Sequence, residues 1–221
     1  MSEGLLLVDK PPNITSFKLV TALRKRLNVK KIGHAGTLDP FATGLMVMLV
    51  GKNYTTQSDN FINHDKVYEA TLLLGSCTDS YDCDGTITNQ SDYIPTLEEI
   101  QEALKQFQGK VKQTPPMFSA KKVNGKKLYT LARQGIEIER KEVQVTLETT
   151  FIDYTYPNIR IRIHCSKGTY IRSLAHDLGN ILGCYAHLSD LRRIKCGTFD
   201  INDAITYDQI EDHDCPLPFK T

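Results

Sequence analysis

The stretch Gly33-His34-Ala35-Gly36-Thr37-Leu38-Asp39-Pro40-Phe41-Ala42-Thr43-Gly44 sets three glycines and a proline within twelve positions. No regular helix or strand interior suits that density, because glycine loses the most backbone entropy on ordering and proline lacks an N–H. Any fold the chain adopts has to pass through a fixed loop here, with Asp39 at its middle. Taken alone, an aspartate ahead of Pro40 reads as a turn former, through its local hydrogen bonding and the fixed φ of proline. The flanks constrain it further. Upstream, Leu19, Val20, Leu23 and Leu27 recur at helical spacing after a candidate cap at Ser16, leaving Lys18, Arg24, Lys25 and Arg26 toward solvent. Downstream, Leu45 to Val50 is an unbroken apolar run closed by Gly51, the pattern of a central strand.

The rest of the chain alternates between the two periodicities. Gly4 to Asp9 reads as a short buried strand ended by Pro11-Pro12, and Lys66 to Leu74 as a strand ended by Gly75. A loop rich in Asp, Ser, Cys and Gly follows. Thr96 and Glu99 form a capping box ahead of Leu97, Ile100, Leu104 and Phe107, in a helix that Gly109 ends. Lys126 to Gln134 reads as a short helix. Glu142 to Ile152 and Asn158 to Cys165 read as strands joined at Tyr156-Pro157-Asn158, with Ile159, Ile161, Ile163 and Cys165 inward and Arg160, Arg162 and His164 outward. A helix over Thr169 to Leu182 closes at Gly183 and carries Tyr170 and Arg172 in its first turn, projecting from its end. Leu188 to Phe199 reads as a strand, and a last helix lies near Tyr207. The fold class is α+β, with a mixed, largely antiparallel sheet flanked by helices.

At 221 residues, 40 % hydrophobic and 24 % charged, the chain is globular and long enough for one large domain. The N-terminus lacks a basic leader and no apolar run approaches the ~20 residues that span a bilayer, so the expected location is cytoplasmic. Cys77, Cys83, Cys165, Cys184, Cys196 and Cys215 show no paired spacing and read as free thiols. A net charge of +1 hides segregation. Arg24, Lys25, Arg26, Lys30 and Lys31 form one basic segment; Lys121, Lys122, Lys126, Lys127, Arg133, Arg140 and Lys141 form another. Residues 79–99 and 200–214 are acidic and read as solvent-facing. Such segregation suits a basic face for phosphates.

Several chemistries are excluded by pattern. Gly33-x-x-Gly36 is not followed by G-K-[ST], so nucleotide hydrolysis finds no phosphate loop. His34, His164, His176 and His187 lack ligand spacing, and no metal is expected. What remains is a loop-held Asp39, aromatic residues at Tyr68 and Tyr170, Arg172 at a helix start as a candidate partner for the carboxylate, and the basic segments. Those parts suit chemistry on a nucleobase drawn out of its stack.

Five ordered segments then resemble the TruB family of tRNA pseudouridine synthases. Leu5 to Pro12 with Thr15-Ser16 is similar to the family's N-terminal motif, and Gly33 to Pro40 through Thr43-Gly44 to its catalytic loop. Lys66 to Ala70 with Leu74-Gly75 and Thr78-Asp79 resembles its second motif. Pro115 to Lys122, Gly125 to Tyr129 and Ala132-Arg133 match a further segment, and Cys165 to Leu174 the third catalytic motif.

The resemblance implies a pseudouridine-synthase fold and isomerisation of the T-loop uridine 55 of tRNA, without cofactor or metal. It implies that Asp39 is the catalytic aspartate, that Tyr68 stacks on the target uracil, and that Arg172 pairs with the aspartate. By the same comparison His34 enters the RNA loop, Tyr170 and Leu191 wall the pocket, and Lys10 lies near the substrate, while Lys121 and Lys126 belong to the RNA-gripping basic segment. The expected organisation is a catalytic domain over 1–199 and a short acidic tail over 200–221, with no full PUA module. The T-arm of tRNA is the expected partner of a monomeric protein. Two rivals stay open: a tRNA-folding chaperone without catalysis, and a base-releasing glycosylase.

Overall fold

The computed structural model describes residues 3–123 and 125–220, so the leader reading at Met1 and Ser2 lies partly outside the described residues. Strand β1 (Gly4–Lys10) stops at Pro11, and helix α1 (Ser16–Leu27) buries Leu19, Val20 and Leu23. Thr15, rather than Ser16, caps this helix, its hydroxyl accepting from the Lys18 N–H at 3.2 Å. The Ser16 hydroxyl is engaged elsewhere, on Leu38. Strand β2 (Ile32–His34) pairs antiparallel with the far end of β3 (Thr43–Val50), so the glycine-rich stretch is strand at both ends and loop only over 35–42.

β3 is buried along nearly all its length, as an uninterrupted apolar run requires. β1 covers one edge throughout. Two short helices, α2 (Lys52–Thr55) and α3 (Ser58–Ile62), lead into β4 (Lys66–Leu74), whose burial alternates residue by residue.

A hairpin absent from the sequence reading follows, β5 (Ser76–Thr78) with β6 (Ile87–Gln90). Helix α4 (Leu97–Leu104) carries the expected Thr96–Glu99 capping box, then tightens into a 3-10 turn through Phe107. Gly109, at φ +71°, opens a strand that the sequence did not announce, β7 (Gly109–Gln113). The basic segment forms a short hairpin, β8 (Lys122–Val123) and β9 (Lys126–Lys127), before α5 (Leu128–Ala132). β10 (Val143–Thr155) and β11 (Asn158–Cys165) pair antiparallel, turning at Tyr156-Pro157, with the four alternate apolar residues of β11 buried as read. Helix α6 (Ile171–Leu182) ends at a left-handed Gly183. Strand β12 (Ala186–Cys196) follows, then β13 (Phe199–Asp200), β14 (Ile205–Thr206) and α7 (Tyr207–Glu211), the helix read near Tyr207.

The chain divides into two compact units, one of residues up to 69 and from 191 onward, the other of 70–190. In the first, the strand order is β14-β1-β3-β12, with β2 also on β3; in the second, β12-β4-β11-β10-β7. β4 and β12 run through both. The fold is therefore α+β, with a large mixed, mostly antiparallel sheet in which β1–β14 and β3–β12 pair parallel. Gly44 makes the second parallel seam possible: a Cβ there would lie 2.3 Å from the Arg193 carbonyl oxygen, and its φ is +102°. The six cysteines are free thiols. Among the described residues no helix is long and apolar enough to cross a membrane.

Candidate active site

In the first unit Asp39 is half-buried on the 35–42 loop, and both of its chain neighbours are fastened through their backbone. The Ser16 hydroxyl accepts from the Leu38 N–H and donates to the Leu38 carbonyl, each at 3.0 Å. On the other side the Pro40 carbonyl accepts from Lys10 Nζ at 3.0 Å and from the Asn13 N–H at 2.8 Å. Lys10 is wholly buried, and its ammonium also donates to the carbonyls of Pro11 (3.0 Å) and Ile14 (2.8 Å). A lysine has three N–H groups, so all are engaged, one by Pro40 of the loop and two by the turn that follows β1. Burial pulls the Lys10 pKa down to about 8, with Asp39 pulling it up and Arg193 pushing it down, and the group is charged at neutral pH.

Arg193, 1 % exposed, spans the loop. Its Nε donates to the Leu45 carbonyl at 2.6 Å, and a terminal nitrogen donates to the Gly36 carbonyl at 3.2 Å and to Met46 Sδ at 3.0 Å. One guanidinium thus ties the entry of the loop to the strand that leaves it. His34 is half-buried on β2, and its pKa is held below the usual imidazole range by burial and then by Arg193, so the ring is neutral at pH 7. Tyr68 stands on the buried face of β4 at 9 % exposure, and Leu191 is buried on β12. Arg192 forks onto the Asp9 carboxylate at 2.7 and 3.0 Å.

In the second unit Arg172 does not project from the end of α6. It is buried, donating to the carbonyls of Ser80 (3.1 Å) and Phe118 (2.8 Å) and lying 3.3 Å from an Asp82 carboxylate oxygen. Asp82 is itself buried and accepts from the Ser80 hydroxyl at 2.5 Å and the Asp84 N–H at 3.1 Å. This corrects the reading of 79–99 as purely solvent-facing: Asp82 lies within it. Tyr170 caps α6, and the buried Gln113 side chain grips both of its backbone groups, donating to its carbonyl at 2.9 Å and accepting from its N–H at 2.8 Å. Lys126 is exposed on β9 and Lys121 half-buried just before β8. Lys127 and Arg133 lie 5.3 and 5.6 Å from the centre of the Tyr129 ring, a cationic and aromatic surface.

The first unit contains Asp39, Lys10, His34, Tyr68 and Leu191, with Lys10 bonded into the aspartate loop and Arg193 acting on both Lys10 and His34, and the second contains Arg172, Tyr170, Lys121 and Lys126. Sequence reasoning did not single out Ser16's loop contact, Arg193, Gln113 or Asp82. Strand alternation puts one of the adjacent Arg192 and Arg193 inside, which is the signal that could have marked the latter.

The sequence matches the TruB family pseudouridylate synthase N-terminal domain over residues 24–171 and the tRNA pseudouridylate synthase B C-terminal domain over 172–215. A tRNA pseudouridine synthase B of Protochlamydia amoebophila (strain UWE25) is 61 % identical over 203 residues, covering 92 % of this chain and 78 % of that protein. Another, of Chlamydia abortus (strain DSM 27085 / S26/3), is 58 % identical over 207 residues, 93 % of this chain and 87 % of its own. Among solved structures, the crystal structure of a Cbf5-Nop10-Gar1 complex contains a chain that superposes with a TM-score of 0.74 at 27 % identity, covering 94 % of this chain and 54 % of that one. A structure of an H/ACA RNP bound to a substrate RNA containing 2'-deoxyuridine gives 0.68 at 26 %, covering 94 % and 52 %. The chain thus spans about half the length of those two chains. Fold and sequence together define a pseudouridine synthase, an isomerase. Within that class, the chain belongs to the TruB family.

Proposed function

We propose that this chain converts uridine 55 in the T-loop of tRNA to pseudouridine, with Asp39 as the catalytic nucleophile and Tyr68 stacking on the flipped uracil. The observation that carries the reading is the fastening of the backbone on either side of Asp39, at Leu38 and Pro40, by the buried Ser16 and Lys10 side chains, which suits a carboxylate that must keep its place through a reaction. Similarity to proteins named tRNA pseudouridine synthase B supports the substrate.

In the reaction the bond from uracil N1 to ribose C1' breaks, a bond from C5 to C1' forms, and the C5 proton is exchanged for one on N1. The detached base has to stay captive while it turns, so the pocket must keep stacking contact and exclude water. Tyr68, Tyr170 and Leu191 supply that apolar contact, Arg172 serves the same reaction, and His34 enters the T-loop in place of the departed base. Lys121 and Lys126, with the rest of the basic hairpin, meet RNA phosphates. Catalysis resides in residues 1–199, and the protein acts as a monomer in the cytoplasm.

The test is pseudouridine mapping of bulk tRNA incubated with wild-type protein and with Asp39→Asn. Wild type modifies position 55, and the variant forms no pseudouridine while binding a T-arm RNA within about threefold of wild type. Turnover by the variant would remove Asp39 from its role. Free uracil among the products would show a glycosylase, and refolded but unmodified tRNA a chaperone.

A further inference from the structure

Helix α6 meets the loop between β5 and β6 at two positions one turn apart. Arg172 takes the Ser80 carbonyl and the Asp82 carboxylate, and four residues on, the His176 ring stacks on Tyr81 with centroids 3.9 Å apart and planes 12° from parallel. Three consecutive loop residues are therefore held by one face of one helix. Tyr81 sits there in a left-handed conformation, φ +65°, which a bulky residue adopts only when its surroundings fix it. Its backbone is pinned at both ends, the N–H donating to the Thr78 carbonyl at 3.2 Å and the carbonyl accepting from the Leu188 N–H at 3.0 Å. Between Ser80 and Asp82, the ring is the one part of residue 81 that reaches the helix in an aromatic contact.

We propose that the Tyr81–His176 stack is a positioning brace for Arg172: it holds the 80–82 loop against α6, so that the two guanidinium acceptors on that loop, the Ser80 carbonyl and the Asp82 carboxylate, stay aimed at it. This rests on the reading of Arg172 as a participant in the isomerisation. Neither ring touches the reacting atoms in this role. The brace acts on how well the arginine is oriented, not on how tightly RNA binds.

The experiment compares kcat and KM on a T-arm RNA for Tyr81→Asn, Tyr81→Phe, His176→Ala, His176→Phe and the double variant Tyr81→Asn/His176→Ala, with Arg172→Ala alongside and thermal unfolding recorded for each. Asparagine tolerates the left-handed backbone, so Tyr81→Asn deletes the ring without imposing a new strain. Loss of either ring is expected to lower kcat about three- to tenfold with KM within about twofold, the scale of one aromatic pair. The two phenylalanine variants keep the stack and stay within about twofold of wild type, and the double variant loses no more than the worse single one, because both break the same contact. Unchanged kcat in Tyr81→Asn and His176→Ala while Arg172→Ala is inactive would overturn the brace alone. So would additive losses, or phenylalanine variants as slow as the deletions. If Arg172→Ala turns over normally, the assignment of Arg172 falls first and takes the brace with it.

Discussion

The loop bearing Asp39 and the cluster bearing Arg172 solve one problem in two ways. Around Asp39 the fastening goes to the backbone of its neighbours: Ser16 holds Leu38, Lys10 holds Pro40, and Arg193 joins Gly36 to Leu45. Around Arg172 the side chain itself is gripped, by two carbonyls and a carboxylate. A short aspartate inherits much of its position from its backbone. An arginine has a long stem with several rotatable bonds and has to be fixed at its tip.

If that contrast is right, a change of tip chemistry at Arg172 should be severe. Lysine keeps the charge but has no planar fork to span Ser80, Phe118 and Asp82, so Arg172→Lys should lower kcat about a hundredfold with RNA affinity little changed. Single-turnover kinetics with a binding titration measure both, and a variant within about fivefold of wild type would show that the grip is dispensable.

On the other side, Ser16→Ala leaves the buried Leu38 N–H without its acceptor, which should destabilise the protein by about 1–2 kcal/mol and slow turnover several-fold, since the loop stays tied at Pro40 and Gly36. Urea unfolding and kcat on the same preparation test this. A stability loss with unchanged kcat would mean that the tether at Leu38 does not govern Asp39.

The smallest effect on turnover is expected at Asp177, on α6 beside the brace. Burial, then Glu142, raises its pKa from 3.8 to about 6. A carboxyl that binds its proton more tightly folded than unfolded gives stability at low pH and loses it as pH rises through the folded value. Wild type should therefore lose stability relative to Asp177→Asn between about pH 4 and 6, and urea midpoints across that range would show the two curves diverging. Parallel curves would show that the group titrates normally.

The parts legible in the sequence were those with a local cause. The Thr96–Glu99 box, the alternation of β11, the left-handed Gly183 and the span of β4 each follow from residues close together in the chain. β6 and β7 escaped because Ile87 to Gln90 is exposed throughout and β7 buries only Gln113, so neither offers a two-residue rhythm. Ser16 looked like a cap because caps are local, whereas its partner Leu38 is 22 residues away. Asp82 was indistinguishable from its acidic neighbours until Arg172, ninety residues later in sequence, was seen to bury it. Family motifs named Asp39, Tyr68 and Arg172 but carried no sign of what holds them.

The reach of Arg193 also bears on how the protein emerges from a ribosome. Its bonds to Leu45 and Gly36 span 148 and 157 residues, and the seam that Gly44 permits joins the start of β3 to the last long strand. Synthesis runs from the N-terminus, so residues 35–42 are made early, with their ties to Ser16 and Lys10 already available, and lack the Arg193 bonds while the whole of 70–190 is translated. A nascent chain halted before Arg193 would carry every residue of the aspartate loop and lack the clasp that closes it. Closure of the loop by Arg193 is thus set late, by a segment that contributes to the loop only through its backbone and one buried side chain.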